Sequence, residues 1–185
     1  MNGERILLDD KRMQLTISRL CHQLVEEYDD FRDVCLIGIQ TKGVYFADRI
    51  FGYLRDDLGI EGVPYGKLDI TFYRDDFRTR KEPLAANLTE MDFLVENKKV
   101  VLIDDVLYTG RTIQAALTAI NHYGRPKSVE LLVLVNRRFN RHLPIAPDFS
   151  GITIDSLDEA YVEVNWQQLT GRDQVILHPK KDNLI

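Results

Sequence analysis

The feature that most constrains this chain is an abrupt change of chemistry within one short stretch. An uninterrupted apolar run over 100–103 ends in two adjacent carboxylates, Asp104 and Asp105. Val106, Leu107 and Tyr108 follow, then Thr109-Gly110-Arg111-Thr112, then an amphipathic helical pattern. A run that is apolar at every position, without alternation, reads as a strand buried on both faces. Two acids directly behind it are costly to bury unpaired, so they mark where the strand leaves the core for a polar crevice. A glycine turn and a helix start supply backbone N–H groups that favour an anion.

The same grammar repeats along the chain. Asp9 and Asp10 can cap a helix to about Tyr28, with Met13, Ile17, Leu20, Cys21, Leu24 and Tyr28 on one apolar face. Ser18, Arg19 and His22 fall away from the centre of that face. Residues 34–39 read as a buried strand and Gln40-Thr41-Lys42-Gly43 as a turn. A second helix then turns Val44, Ala47, Ile50, Phe51, Leu54 and Leu58 inward. Leu68, Ile70 and Phe72 alternate with Asp69, Thr71 and Tyr73, the pattern of a half-exposed strand. Residues 74–97 are polar and weakly periodic, which predicts a flexible lid or a projecting hairpin. The helix after the acid pair stops near Gly124-Arg125-Pro126. Residues 129–135 form another buried strand, and 151–154, 160–164 and 174–177 are short strand candidates.

Strands alternating with amphipathic helices imply an α/β fold. We expect a single domain over 1–185 with a central, mostly parallel sheet flanked by helices. Ligands in such sheets bind beyond the carboxyl ends of the strands. That condition nominates Thr41 to Gly43, Asp104 to Thr112, and the segment from Asn136 onward.

The totals exclude several classes. A formal net charge of −5 argues against a general nucleic-acid coat, though not against one local basic patch. Cys21 and Cys35 have no Cys-x-x-Cys spacing, so they read as small buried hydrophobes rather than zinc ligands. The N-terminus lacks an apolar signal core, and no apolar run approaches the roughly 20 residues that span a bilayer. A reduced, cytoplasmic protein without a membrane partner is expected. His122 and His178 join no nucleophilic triad, and the lone Trp166 reads as packing rather than a base platform.

Phosphate loops differ in what each requires. A dinucleotide Gly-x-Gly-x-x-Gly is absent, and a nucleotide-triphosphate loop needs Gly-x-x-x-x-Gly-Lys-Ser/Thr. Thr109 to Thr112 mimics the end of the latter, but Asp105 stands where its first glycine belongs. A carboxylate there repels a triphosphate lying along the loop, whereas it suits sugar hydroxyls or a magnesium ion shared with a diphosphate. One loop can thus hold ribose at its acidic end and a monophosphate at its glycine end. The alternative is an ordinary strand–turn–helix connection with an Asp cap.

This loop resembles the phosphoribosyl-diphosphate signature of type I phosphoribosyltransferases. Purine enzymes of that class usually place an acidic residue before Thr-Gly, where this chain has Tyr108. The variant Val-Leu-Tyr-Thr-Gly-Arg-Thr is similar to that of the bifunctional pyrimidine operon attenuation protein/uracil phosphoribosyltransferase family. Further matches are Gly38-Ile39-Gln40-Thr41-Lys42-Gly43, Asp69 to Asp76, and Leu143-Pro144-Ile145. The resemblance covers nearly the whole chain.

The resemblance implies a type I phosphoribosyltransferase fold with a small hood, about 137–185 with parts of the N-terminus, and a flexible loop over about 74–97. It implies phosphoribosyl diphosphate, uracil and uridine nucleotides as ligands, magnesium as cofactor, and a homodimer or larger homo-oligomer. Asp104 and Asp105 would orient the ribose hydroxyls and reach the metal indirectly, through those hydroxyls or water. Val106 to Thr112 would hold the 5′-phosphate end, and Thr41, Lys42 and Gly43 the diphosphate, with Arg137 near both. Tyr73 and Arg74, at the root of the loop, would act when it closes. Main-chain groups near Val162 and Val164 would meet the base.

The chain departs from the family pattern after Val135. It reads Asn136-Arg137-Arg138-Phe139-Asn140-Arg141-His142, with Asn for the usual Asp, no glycine and one extra residue. Ala146 replaces a basic residue. Ser18, Arg19, His22, Arg137, Arg138 and Arg141 form either a patch for a pyrimidine-leader RNA or a solvated surface with an arginine serving the site. A transfer enzyme, an RNA-binding regulator, and a transferase for another base such as orotate or a purine are the readings to separate.

Overall fold

The structure is a computed structural model that describes residues 4–75, 88–155 and 160–179. Its elements run β1 (Arg5–Leu8), α1 (Asp10–Tyr28), β2 (Val34–Ile39), α2 (Lys42–Asp56), β3 (Tyr65–Leu68) and β4 (Lys99–Leu107). Then come α3 (Arg111–Ile120), β5 (Ser128–Arg137), β6 (Phe149–Ile154), β7 (Tyr161–Asn165), α4 (Gln167–Thr170) and β8 (Gln174–His178). Asp76 and the rest of the expected loop over 76–87 lie outside the described residues, as do 156–159 and 180–185 of the expected hood.

Five strands form the large sheet in the order β3-β2-β4-β5-β6, and every neighbouring pair is parallel. Parallel strands need covering on both faces, and the helices supply it. On one face Met13, Leu20 and Leu24 of α1 and Phe46, Ile50 and Leu54 of α2 pack against Leu36, Val101, Ile103 and Leu132. On the other, Ile113, Ala116 and Ile120 of α3 cover Ile37, Val100, Leu102 and Val133. From β2 the chain passes through α2 to β3 on one side, whereas β4 lies on β2's other side. The order therefore reverses between β2 and β4. The helices that leave those two strands start on opposite layers, which opens a crevice at their carboxyl ends.

A second sheet, β1-β8-β7, is antiparallel and has three strands. It is tied to the large sheet's helical layer through Trp166, which is fully buried. The indole stacks against Tyr45 and Phe46 of α2 and lies under the Arg49 guanidinium, 5.1 Å away. Asp173, beside it, accepts from both Arg49 terminal nitrogens and from the Gln167 N–H at 2.7 Å. Burying this charge is tolerable because all of these donors converge on it. Trp166 is thus packing, as its isolation in the sequence implies.

Four expectations need correction. The alternation over 68–73 does not extend a strand: β3 ends at Leu68, and Thr71–Tyr73 makes a 3-10 turn closed by Tyr73 N–H to Ile70 O at 2.9 Å. Period-two alternation over so few residues fits either structure, and Leu68 and Ile70 are buried while Phe72 is 68% exposed. The second half of the expected lid is not a lid. Glu90 pairs with Lys67 on the edge of β3, and Val95 is fully buried in the α3 layer. The strand that carries the acid pair does not stop at Ile103 but continues through both acids to Leu107. Phe149–Ile154 joins the large sheet beside β5, so the hood span expected from residue 137 onward loses that strand. β1, too short and too exposed at Arg5 and Ile6 to show a period, was not anticipated.

Cys21 and Cys35 are both free and fully buried. Burial raises their thiol pKa values to about 12 and about 11, so neither is a reactive thiolate at neutral pH. Among the described residues no helix is long and apolar enough to cross a membrane.

Trp166→Ala removes the largest side chain joining the small sheet to α2. It is expected to cost about 3–5 kcal/mol, the usual scale for a buried aromatic, measured by urea unfolding. A loss under about 1 kcal/mol would show that the two sheets are held together elsewhere.

Candidate active site

The crevice is built from two strand ends and two helix starts. α1, remote from it, is capped in the ordinary way, with Asp9 accepting from Arg12 N–H at 2.8 Å. α2 and α3 differ: neither has a side-chain cap or an acid in its first turn. The first hydrogen bond of α3 runs from Gln114 N–H to Gly110 O at 3.0 Å. The N–H groups before it have no partner within the helix. Two helix N-termini that lack caps and first-turn acids of their own, at the ends of adjacent strands, leave N–H groups that suit an external anion.

Between them lie Asp104 and Asp105, 6% and 8% exposed. In a regular strand, neighbouring side chains point to opposite faces, which would bury one acid in each layer. Here the alternation slips by one residue. Val101, Ile103 and Val106 all pack on the α1–α2 side, while Val100, Leu102 and Leu107 pack on the α3 side. Leu134 and Val135 of β5 both face the α1–α2 layer, so the neighbour slips in step and the register holds from Asp104↔Val133 to Val106↔Val135. The slip leaves both carboxylates close together, and Asp105 N–H donates to Asp104 Oδ1 at 2.9 Å.

Burial first, then the Asp105 charge, pushes the Asp104 carboxyl well above its usual range, and Arg74 opposes the shift. Burial also raises Asp105, against the pull of Lys42. Lys42 and Arg74 are therefore near enough to feel the pair, as expected for residues of one site. Gly43 is closer still: a Cβ there would stand 2.8 Å from Asp104 Oδ1 and 2.9 Å from Ile103 O. Only glycine lets the start of α2 seat on the acid pair. The peptide before Thr41 is cis.

Beyond the acids the chain turns through Tyr108 and Thr109 to Gly110, whose φ of +91° favours glycine. Thr109 Oγ1 accepts from Arg111 N–H at 3.4 Å. Arg111 pairs with Asp75, and its Nε lies 3.4 Å from His142 Nδ1. That pair draws the 71–75 segment, with Arg74, to the start of α3. Tyr73 is not drawn in: its ring lies 5.6 Å from His122, past the far end of α3.

Arg137 is buried, with its guanidinium 3.8 Å over the Tyr108 ring and its Nη2 donating to Ala160 O at 2.8 Å. This contact brings the root of β7 to the crevice. Val162 and Val164 turn their side chains into the core, so only the main chain of this edge strand is free to meet a ligand. The remaining basic residues do not make one patch. Arg19 donates to Ser150 O and Gly151 O, and Ser18 shares a hydrogen bond with Tyr53. His22 bonds its own helix through Ser18 O, and Arg138 pairs with Asp155. Arg141 is turned to the Tyr108 loop instead. Asn136 and His142 lie in the segment nominated from sequence and Asp75 in a matched motif, but their partnerships with Arg141, Arg111 and the Thr109 turn were not foreseen; those partners lie about 30 or more residues away or on irregular backbone, where no periodicity points.

Among the described residues no group of three or more His, Cys, Asp or Glu could hold a metal alone. The Asp104–Asp105 pair offers hard oxygen donors, which suits a cation brought in and shared by a ligand's phosphates.

A raised native pKa has a definite sign for stability. Between the unfolded value, about 4, and the raised folded value, the native state binds the extra proton, so stability falls as pH rises through that window. Asp104→Asn removes the buried charge and keeps an oxygen for Asp105 N–H. The variant is expected to melt about 2–4 °C above the wild type at pH 8, with the gap closing below about pH 4. Equal melting at both pH values would refute the burial cost.

Three comparisons with known proteins bear on this site. Residues 5–169 match the family model described as a phosphoribosyl transferase domain. The chain is 46% identical over 171 residues to the bifunctional protein PyrR of Picosynechococcus sp., covering 92% of this chain and 95% of that protein. It is 41% identical over 180 residues to the bifunctional protein PyrR of Clostridium acetobutylicum, covering 96% and 99%. Among solved structures, a hypoxanthine phosphoribosyltransferase of Trypanosoma cruzi superposes with a TM-score of 0.72 at 17% identity, covering 97% of this chain and 98% of that one. One from Staphylococcus aureus gives 0.69 at 19%, covering 98% and 95%. At those identities the structural likeness speaks for the fold alone.

Proposed function

Because the chain belongs to the phosphoribosyl transferase family, and within it to the group of bifunctional PyrR proteins, we propose that it transfers the phosphoribosyl group of phosphoribosyl diphosphate to uracil. The observation that carries this reading is the buried acid pair set between two helix starts that lack caps of their own. An acid pair suits ribose hydroxyls and a nascent cation, and each helix start suits one of the substrate's two phosphate ends.

In the reaction the anomeric C–O bond breaks and its electron pair leaves with the diphosphate. The new bond forms to uracil N1, whose proton passes by way of water to the departing diphosphate. Positive charge gathers on the ribose ring as the old bond stretches. Asp104 and Asp105 favour that charge and orient the ring through its hydroxyls. Thr109 to Thr112 anchor the 5′-phosphate through N–H and hydroxyl groups. Lys42, Gly43 and the start of α2 receive the diphosphate, with Arg74 beside them. Arg137, braced between Tyr108 and the root of β7, borders the place for the base. Magnesium, when bound, neutralises the departing diphosphate, and Asp104 and Asp105 would hold it through ribose hydroxyls or water.

Uracil as the base rests on Tyr108, which stands where purine enzymes carry an acid. Steady-state rates with uracil, orotate, hypoxanthine and guanine test it: uracil should lead by at least tenfold, and a faster purine would reassign the substrate. Asp104→Asn combined with Asp105→Asn should lower turnover about a hundredfold or more, as loss of preorganised charge does. Turnover surviving within tenfold would sink the role given to the pair.

The relatives' description as bifunctional supports a second role, a uridine-nucleotide-responsive grip on pyrimidine-leader RNA. Arg19 and His22 stand exposed on one face of α1 and carry this reading, without Arg137 and Arg141. Filter binding to a leader hairpin, with and without uridine monophosphate, reads it. Affinity no greater than for a scrambled RNA would remove the regulatory role. A homo-oligomer in a reducing cytoplasm completes the proposal.

A further inference from the structure

The segment after β5, where the sequence leaves its family's pattern, folds back over the turn that follows the acid pair. Gly110 lies against it: a Cβ there would meet Ile145 Cδ1 at 3.3 Å and Leu143 Cβ at 3.4 Å. Two consecutive carbonyls of the turn point into this segment. Tyr108 O accepts from Arg141 Nη1, and Thr109 O accepts from His142 N–H at 3.0 Å. Arg141 also donates through Nη2 to Asn136 Oδ1 at 2.8 Å and to Arg137 O at 3.2 Å. One half-buried guanidinium therefore joins the end of β5 to the turn after β4.

The consequence follows from peptide geometry. In a planar trans peptide the C=O and the N–H of the next residue point in opposite directions. Drawing the Tyr108 carbonyl toward Arg141 aims the Thr109 N–H away from it. Drawing the Thr109 carbonyl toward His142 N–H does the same for the Gly110 N–H. Both N–H groups then face the open side of the turn, beside the start of α3, whose N-cap residue Gly110 supplies no side-chain cap, and successive N–H groups turned one way make an anion-binding concavity. A backbone donor holds the second carbonyl and would survive any side-chain change. Among the described residues the first is held by the Arg141 side chain.

We propose that Arg141 is a positioning residue for the phosphate cradle, holding the Tyr108–Thr109 peptide so that its N–H faces the 5′-phosphate of the ligand. This rests on the reading of 109–112 as the phosphate-binding turn. The fork of the guanidinium is needed because its two terminal nitrogens serve different acceptors, Tyr108 O on one strand end and Asn136 Oδ1 on the other. A lysine keeps the charge but not the fork. The Asn at 136, where the family has Asp, supplies a neutral acceptor, so the guanidinium is steered without being neutralised.

The test separates phosphate positioning from general damage. Affinities for uridine monophosphate and for uridine, measured by calorimetry, give a ratio that reports the 5′-phosphate alone. In Arg141→Ala that ratio should fall at least tenfold from the wild-type value, while uridine affinity stays within twofold. Arg141→Lys should fold in either case and show a fall of at least threefold. The KM for phosphoribosyl diphosphate should rise more than kcat falls. Ratios in both variants equal to the wild type would overturn the inference. A wild type that does not distinguish the monophosphate from uridine would overturn the phosphate-turn reading itself, and this inference with it.

Discussion

Everything at the crevice depends on one close approach, that of the Gly43 backbone to the Asp104 side chain. With less than 3 Å between a would-be Cβ and the carboxylate oxygen, the start of α2 has no slack. That contact sets how far one helix terminus stands from the other. It also helps to keep water from the acids, and burial is the main cause that raises both carboxyls. The site is thus assembled at an electrostatic cost, and two buried carboxyls of raised pKa side by side are what functional sites tend to show.

The layers around it explain how such a site is tolerated. Both faces of the sheet are covered by long apolar side chains, and the small sheet is clamped to α2 through Trp166 and the Arg49–Asp173 pair. Stability is supplied away from the crevice, so strand ends and helix starts can carry uncapped and poorly paired groups. Arg137 and Arg141 show the same division. Their charge sits near the crevice, but their hydrogen bonds go to carbonyls of the surrounding frame.

The continuous apolar runs of β2, β4 and β5 and the helical faces of α1 and α2 were legible because burial on both faces, or on one stripe, leaves a period. The nearness of the acid pair, the glycine turn and Lys42 was legible because each stands where a buried strand ends and a helix starts. The 3-10 turn at Thr71–Tyr73 was not, since its few residues fit two periods equally well. Nor were the partnerships Arg111–Asp75 and Arg141–Tyr108, which join segments about 35 residues apart through the tertiary fold alone. The basic residues read as one possible RNA patch divide in space because Arg137 and Arg141 point inward, which their charge could not reveal.

The slip in alternation between Ile103 and Val106 has an implication for how this site can change. Ordinary strands store information in residue identity, and substitution edits it one side chain at a time. Here two adjacent acids share one crevice because the pleat is interrupted in two neighbouring strands together. β5 carries the matching irregularity at Leu134 and Val135, and the pairing runs through both without a shift. The residues inside the slip of β4 are the acids themselves, so deleting one of them removes an acid and breaks the register with β5 at once. A single substitution changes one side chain and leaves the interrupted pleat in place. The irregularity is therefore a property of the two strands as a pair, locked by the hydrogen bonds between them.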